Sequence, residues 1–125
     1  MDFNNESASI MRLCSAIENR APFYELEQLL WSTILAFQGK TFYTSRGLAF
    51  SYVVKRGRSG DYVGELVVNR KEKSKTITKS TVFLALKKAL VLMETEGRVS
   101  GPKKLGTFGA SYLYPVFLKF GMIRE

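Results

Sequence analysis

Residues 50–69 read FSYVVKRGRSGDYVGELVVN, and this stretch decides the fold. Its first six and last eight residues are rich in β-branched and aromatic side chains, which favour strands. Between them lies a polar turn with two glycines, residues 56–61. Two such runs around a short glycine-containing turn predict an antiparallel hairpin. Phe50, Tyr52 and Val54 alternate along the first strand, so we expect them to share one buried face.

Two helices are predicted before the hairpin. The first has apolar residues at three- and four-residue spacing, with Ser7 or Ser9 as its N-terminal cap. Its stripe consists of Ile10, Leu13, Cys14 and Ile17. The second is expected to begin at Pro22 and to end at Gly39, because proline suits the first helical turn and glycine suits the end. A cysteine on an apolar stripe is expected to be a buried, unreactive thiol.

More strands and helices are predicted around and after the hairpin. Residues 42–44 are read as a short strand or extended arm, and residues 76–78 as a further strand. Thr78 or Ser80 then caps a helix that ends at Gly97, and residues 100–106 form a loop or single turn. Pro115 starts or kinks a last helix. The predicted fold class is α+β in a single domain, residues 1–125: two N-terminal helices, a small antiparallel sheet, and two C-terminal helices.

Charge is divided unevenly along the chain. Residues 1–39 carry two Lys or Arg and five Asp or Glu, a net charge of −3. Residues 40–125 carry 17 basic and six acidic residues, a net charge of +11, and the whole chain is therefore +8. Concentrated positive charge attracts polyanions and repels itself unless something negative covers it. The sequence therefore predicts an acidic helical part, residues 1–39, and a basic part, residues 40–125, that binds an anionic partner.

The amino-acid composition excludes several kinds of catalytic and metal-binding site. The chain has no histidine and one cysteine, which excludes ordinary zinc sites and Cys–His or Ser–His nucleophile pairs. Asp61 and Glu65 share a strand face, but no further acid completes a magnesium site, so we expect no metal, no cofactor and no catalytic residues. The polar start lacks the features of a signal peptide, and no apolar stretch reaches the roughly 20 residues of a spanning helix. We therefore expect a cytoplasmic protein with no membrane partner.

Three basic clusters supply the candidate binding residues. The hairpin turn carries Lys55, Arg56 and Arg58, which suit contact with phosphates or a nucleic-acid groove; the alternative is a solvated turn. Residues 70–79 interleave cations with Ser and Thr hydroxyls before a helix N-terminus, a combination that binds phosphates; the alternative is a charged connector. The cations of this segment are Arg70, Lys71, Lys73, Lys75 and Lys79. The third cluster, Lys103 and Lys104, lies in a glycine-rich segment without P-loop order and is expected to extend a basic surface.

Two parts of the chain carry a resemblance. Residues 101–117 (GPKKLGTFGASYLYPVF) and 77–82 (ITKSTV) resemble small uncharacterised proteins of Gram-positive bacteria and their mobile elements, a likeness that implies no activity and no site residue. The order of strand, turn, strand, basic link and helix over residues 49–96 is similar in outline to the three-stranded, one-helix arm-binding domains of phage integrases. That similarity concerns the order of elements and leaves out the N-terminal helices and the aromatic tail.

The leading functional hypothesis is a non-enzymatic nucleic-acid-binding protein. We expect duplex DNA rather than RNA, because neither strand carries the glycine and aromatic pattern of an RNA-recognition motif. The alternative is a small interaction or inhibitor protein of a mobile element, which docks on an acidic or nucleic-acid-binding surface, for example of a host defence complex. A third reading pairs the basic patch with the acidic residues 18–27 of a second copy. Convergence of the cations on one face favours the leading hypothesis, whereas scatter counts against it.

Overall fold

The computed structural model describes residues 3–60, 62–71 and 73–125. Two N-terminal helices precede a four-stranded sheet, and two helices follow it, so the predicted α+β class is confirmed. The elements are α1 (Phe3–Glu18), α2 (Phe23–Ala36), β1 (Phe42–Tyr43), β2 (Ala49–Arg56), β3 (Tyr62–Arg70), β4 (Lys73–Thr78), α3 (Lys79–Thr95), a 3₁₀ turn (Pro102–Lys104) and α4 (Ala110–Lys119).

The sheet is an antiparallel meander in the order β1-β2-β3-β4. The predicted hairpin is β2–β3, which pairs Ser51 with Asn69 and has an irregular register between Val54 and Arg56. The prediction of a basic connector over residues 70–79 is wrong for most of its length. A tight turn at Lys71 leads directly into β4, which pairs with β3 along its whole length.

Helices cover one face of the sheet, and the core lies between the two layers. The Tyr52 hydroxyl donates a hydrogen bond of 2.7 Å to the carbonyl of Ile34 in α2. The ring of Phe50 lies 5.0 Å from that of Tyr112 in α4, edge to face. Phe50, Tyr52 and Val54 are all buried, as their alternation predicts. The opposite face of the sheet, which carries the exposed Val53, points to solvent.

The N-terminal helices pack on the rest of the domain through aromatic contacts and surface ion pairs. Trp31 meets Phe83 of α3 edge to face at 6.2 Å, and Phe37 lies 5.0 Å from Phe120. On the surface, Arg20 bridges to Glu94 of α3 at 3.0 Å. These contacts hold the acidic part of the chain against the helix layer.

Cys14 lies in α1 and is half-buried rather than fully buried. Its thiol donates a hydrogen bond of 3.2 Å to the carbonyl of Phe120. Burial, and secondarily the nearby carboxylate of Glu18, raise the pKa of this thiol above its ordinary value. A raised pKa keeps the thiol protonated at neutral pH, which fits the expectation of an unreactive cysteine.

Helix ends follow the sequence signals in part. α1 begins at Phe3, so Ser7 and Ser9 lie inside the helix and are not its cap, contrary to the prediction. The Thr78 hydroxyl caps α3 by accepting a hydrogen bond from the backbone N–H of Thr81, which is one of the two predicted caps. Pro115 lies within α4 rather than at its start.

Candidate nucleic-acid interface

The antiparallel hairpin separates the predicted basic clusters in space. The β2–β3 turn lies at the start of β3 and the β3–β4 turn at its end, nine residues later. At about 3.3 Å per residue, the two turns are roughly 25 Å apart. We call the first the turn end (Lys55, Arg56, Arg58) and the second the groove end (Arg70, Lys71, Lys73, Lys75). The ten predicted cations therefore do not form one compact patch, which counts against binding by all three clusters together.

Cations at the turn end are partly engaged within the protein. Lys55 Nζ lies 3.6 Å from Glu65 Oε1, its cross-strand neighbour on the open face. Arg56 Nη1 donates a hydrogen bond of 2.9 Å to the carbonyl of Gly60. Arg58 is exposed in the turn. Asp61, the other half of the carboxylate pair considered for magnesium, lies outside the described residues.

Cations at the groove end face one another. Arg70 and Lys73 are direct cross-strand partners, and Val68 pairs with Lys75 one step further along. Like charges directly opposite each other destabilise an antiparallel pair. In the described part of the chain, no carboxylate lies within ion-pair distance of these cations. Glu72 lies outside that part. The described residues of the groove end therefore present positive charge without a described acidic partner.

Two adjoining clefts meet at these cations. One, of about 250 Å³, lies between Arg70, Lys73 and Lys75 on its rim and Val68, Ser74 and Tyr112 beside them. The other, of about 490 Å³, is lined by Leu48, Ala49, Arg70, Lys71 and Lys73. Both clefts are lined by Arg70 and Lys73, and we call the two together the basic groove from here on. Its lining combines the four cations with Ser74 and four less polar residues, Leu48, Ala49, Val68 and Tyr112.

An aromatic ring that the sequence did not predict to be exposed lies next to Lys75 of this groove. Phe108 is 59% exposed, and Lys75 Nζ lies 5.7 Å from the centre of its ring. Gly109, next to it, has a φ of +74° and packs against Ile77 of β4. The sequence signal was present: the ring sits between Gly106 and Gly109, just after two lysines. An aromatic residue between such glycines need not be part of the core.

The remaining predicted cations lie outside the groove. Lys79 Nζ lies 5.0 Å above the ring of Trp31, an arrangement that stabilises the cation locally. Lys103 and Lys104 are exposed on the 3₁₀ turn, which packs on α4. Strand alternation also places Thr76 and Thr78 on the face of β4 opposite to Lys75 and Ile77. Of the hydroxyls that alternate with the cations in the sequence, Ser74 lines the groove with them, whereas Thr76 and Thr78 do not.

Other kinds of site find no support in the described residues. Over residues 3–60, 62–71 and 73–125, no group of three or more His, Cys, Asp or Glu is placed to hold a metal ion. The described helices include none long and apolar enough to cross a bilayer. Comparison with protein-family models, with curated proteins and with solved structures gives no match, so the groove is interpreted from its own geometry.

Proposed function

We propose that this protein binds nucleic acid, with DNA as the expected ligand, and that it does so without catalysing a reaction. The observation that carries the proposal is the basic groove, where Arg70 and Lys73 face each other without a described acidic partner. Such a pairing costs up to about 1 kcal/mol in the free protein. A phosphodiester backbone offsets this repulsion, because it supplies a row of anions to the row of cations.

The location that fits this proposal is the cytoplasm. A bacterial cytoplasm contains both the nucleic acid and the reducing conditions under which an unpaired cysteine persists. Cys14 is the only cysteine of the chain and stands as a free thiol. The proposed setting in a mobile element has no support beyond the resemblance in the tail and in residues 77–82.

A salt titration with matched charge variants tests the proposal. Lys73→Ala/Lys75→Ala removes two groove cations, and Lys87→Ala/Lys88→Ala removes two exposed cations of α3, so both variants carry a net charge of +6 instead of +8. Each neutralised phosphate contributes about −0.9 to the slope of log K against log salt for duplex DNA and about −0.7 for a single strand. Four groove cations therefore predict a slope of roughly −3 to −4.

The groove variant should bind DNA at least tenfold more weakly and lose about 1.4–1.8 from that slope. The α3 variant should keep most of its affinity, because its charges lie away from the groove. Equal losses in the two variants would mean that net charge alone drives binding. No binding by the wild-type protein at low salt would refute the proposal.

A second candidate function is a protein-docking module. α3 exposes Leu84 and Val91, which are 61% and 50% exposed and lie seven residues apart on one helix face. A contiguous exposed apolar patch marks a protein contact, and these two side chains are where such a patch would lie on α3. Failure of the wild-type protein to bind a mixed pool of DNA and RNA would favour this candidate. Loss of a protein partner in Leu84→Ser/Val91→Ser, with folding intact, would then support it.

A further inference from the structure

Phe108 is held in a fixed position beside the groove. The backbone at Gly109 is left-handed, and a Cβ added there would lie 2.8 Å from Ile77 Cγ1, so the chain approaches the sheet as closely as it can. Ile77 itself is fully buried. The backbone N–H of Ala110 closes the turn with a hydrogen bond of 3.2 Å to the carbonyl of Thr107. The exposed ring of Phe108 therefore projects from a turn whose backbone packs against Ile77 of β4.

An undistorted DNA duplex offers no favourable contact for the exposed ring of Phe108. In duplex DNA the faces of the bases are covered by their neighbours, and only phosphates, sugars and base edges face a protein. A phenylalanine ring offers no hydrogen bond to an edge and no charge to a phosphate. Leu48, which lines the groove and is 41% exposed, likewise finds no apolar surface on an undistorted duplex. Attraction between the cations and phosphates does not account for the exposed ring or for the apolar residues of the groove.

A single-stranded nucleic acid offers contacts to the Phe108 ring, to the apolar lining and to the groove cations. Proteins that bind single strands combine a cationic groove, which follows the backbone, with aromatic rings on which bases stack. Here Lys75 lies directly beside the Phe108 ring, and Lys73 and Arg70 continue the positive charge along the groove. We infer that the basic groove binds a single-stranded nucleic-acid segment, with a base stacked on Phe108 and the phosphates along Lys75, Lys73 and Arg70. This inference rests on the proposed function and replaces duplex DNA with a single strand as the preferred form.

Binding to paired probes tests the inference. The probes are a fluorescent DNA strand of about ten nucleotides, within the size range of single-strand sites, the same strand annealed to its complement, and an RNA strand of the same sequence. Wild-type protein should bind the single strand more tightly than the duplex. Phe108→Ala should weaken single-strand binding roughly 5- to 150-fold, the range for loss of one stacked base, and change duplex binding less than about twofold. Comparison of the RNA strand with the DNA single strand shows whether the protein binds ribose or deoxyribose strands more tightly.

Two further variants control for folding and for exposure. Phe108→Tyr keeps a stacking ring and should retain single-strand affinity, which distinguishes loss of stacking from loss of structure. Tyr24→Ala removes a comparably exposed ring, 66% exposed on α2, and should have no effect. Tighter binding of duplex by wild-type protein, or equal losses on both DNA probes in Phe108→Ala, would overturn the inference alone. Wild-type protein that binds no probe would overturn the proposed function as well.

Discussion

Gly109 sets the position of the ring beside the groove, and its replacement by alanine has a calculable cost. The residue has a φ of +74°, and an added Cβ would lie 2.8 Å from Ile77 Cγ1 and closer still to Ile77 Cδ1. A left-handed backbone costs an L-residue roughly 1–2 kcal/mol. An extra methyl group in a packed site costs roughly 1–3 kcal/mol more. We therefore expect Gly109→Ala to lower the free energy of unfolding by about 2–5 kcal/mol.

Urea unfolding followed by tryptophan fluorescence measures this cost, because Trp31 is the only tryptophan and is buried. A matched control is Gly101→Ala, where the backbone is extended and nothing lies within 4 Å of the added Cβ. That substitution should leave stability within about 0.5 kcal/mol or raise it slightly. The contrast isolates the conformation and contacts of Gly109 from the general effect of replacing glycine.

A second substitution separates the steric cost from the backbone cost. Ile77→Val removes Cδ1, the atom nearest to the added methyl, and should itself cost about 0.5–1.5 kcal/mol. Gly109→Ala should then cost at least about 0.5 kcal/mol less in the Ile77→Val protein than in the wild type. The same cost in both backgrounds would refute the contact with Ile77. A cost below about 1 kcal/mol in the wild type would refute the left-handed turn itself.

Four other outcomes follow from the packing and the charges. Leu86→Ala should cost roughly 2–5 kcal/mol in thermal melting, because Leu86 is fully buried and its loss leaves a cavity. Cys14 should react slowly with a thiol reagent at neutral pH and faster as pH rises, since its pKa is raised; fast reaction at pH 7 would contradict the packing of α1. Burial also raises the pKa of Tyr52, so its contribution to stability is present below about pH 10 and falls as pH rises further. Tyr52→Phe should therefore flatten the alkaline fall of the urea midpoint. Lys73→Ala/Lys75→Ala should melt at the same temperature as the wild type or slightly higher, because it removes repulsion; early melting would mean that these side chains are structural.

The hairpin was predictable because local signals agree there. Alternation of Phe50, Tyr52 and Val54 with a glycine-containing turn specifies a strand pair whatever else the chain does. Most of β4 was not predictable in this way. Residues 73–76 are Lys-Ser-Lys-Thr, and a segment rich in lysine and serine predicts a solvent-exposed connector rather than a strand. Pairing with β3 and the burial of Ile77 hold this segment in the sheet, and both are tertiary effects that propensity does not contain.

The identities of the candidate binding residues were easier to predict than their places. Clusters that are neighbours in sequence lie at opposite ends of β3, because a hairpin reverses direction and a second reversal follows it. Phe108 was missed for a related reason. An aromatic residue belongs to the core by default, and only the left-handed turn at Gly109 leaves its ring in solvent. Sequence alone shows the glycine, but it does not show what the glycine packs against.

Most of the described cations form no ion pair with a described acid. The ion pairs among the described residues are Arg20–Glu94, Lys40–Glu6 and Lys55–Glu65, and none of them includes a groove cation. In Lys40–Glu6 a carboxylate of α1 neutralises a cation outside the groove, whereas in Arg20–Glu94 the N-terminal residue is the cation. Arg70 and Lys73 face each other without an ion pair to a described acid.

This arrangement divides recognition between two sets of residues. The groove cations attract any polyanion, and their contribution weakens with salt. In the proposed binding mode, the ring of Phe108 distinguishes strands whose bases are free from strands whose bases are stacked in a duplex, and stacking depends little on salt. Lysine variants should therefore change the salt slope and leave the preference for single strands in place. Phe108→Ala should abolish that preference and leave the slope nearly unchanged, and a variant of either kind that moved both quantities together would refute the division.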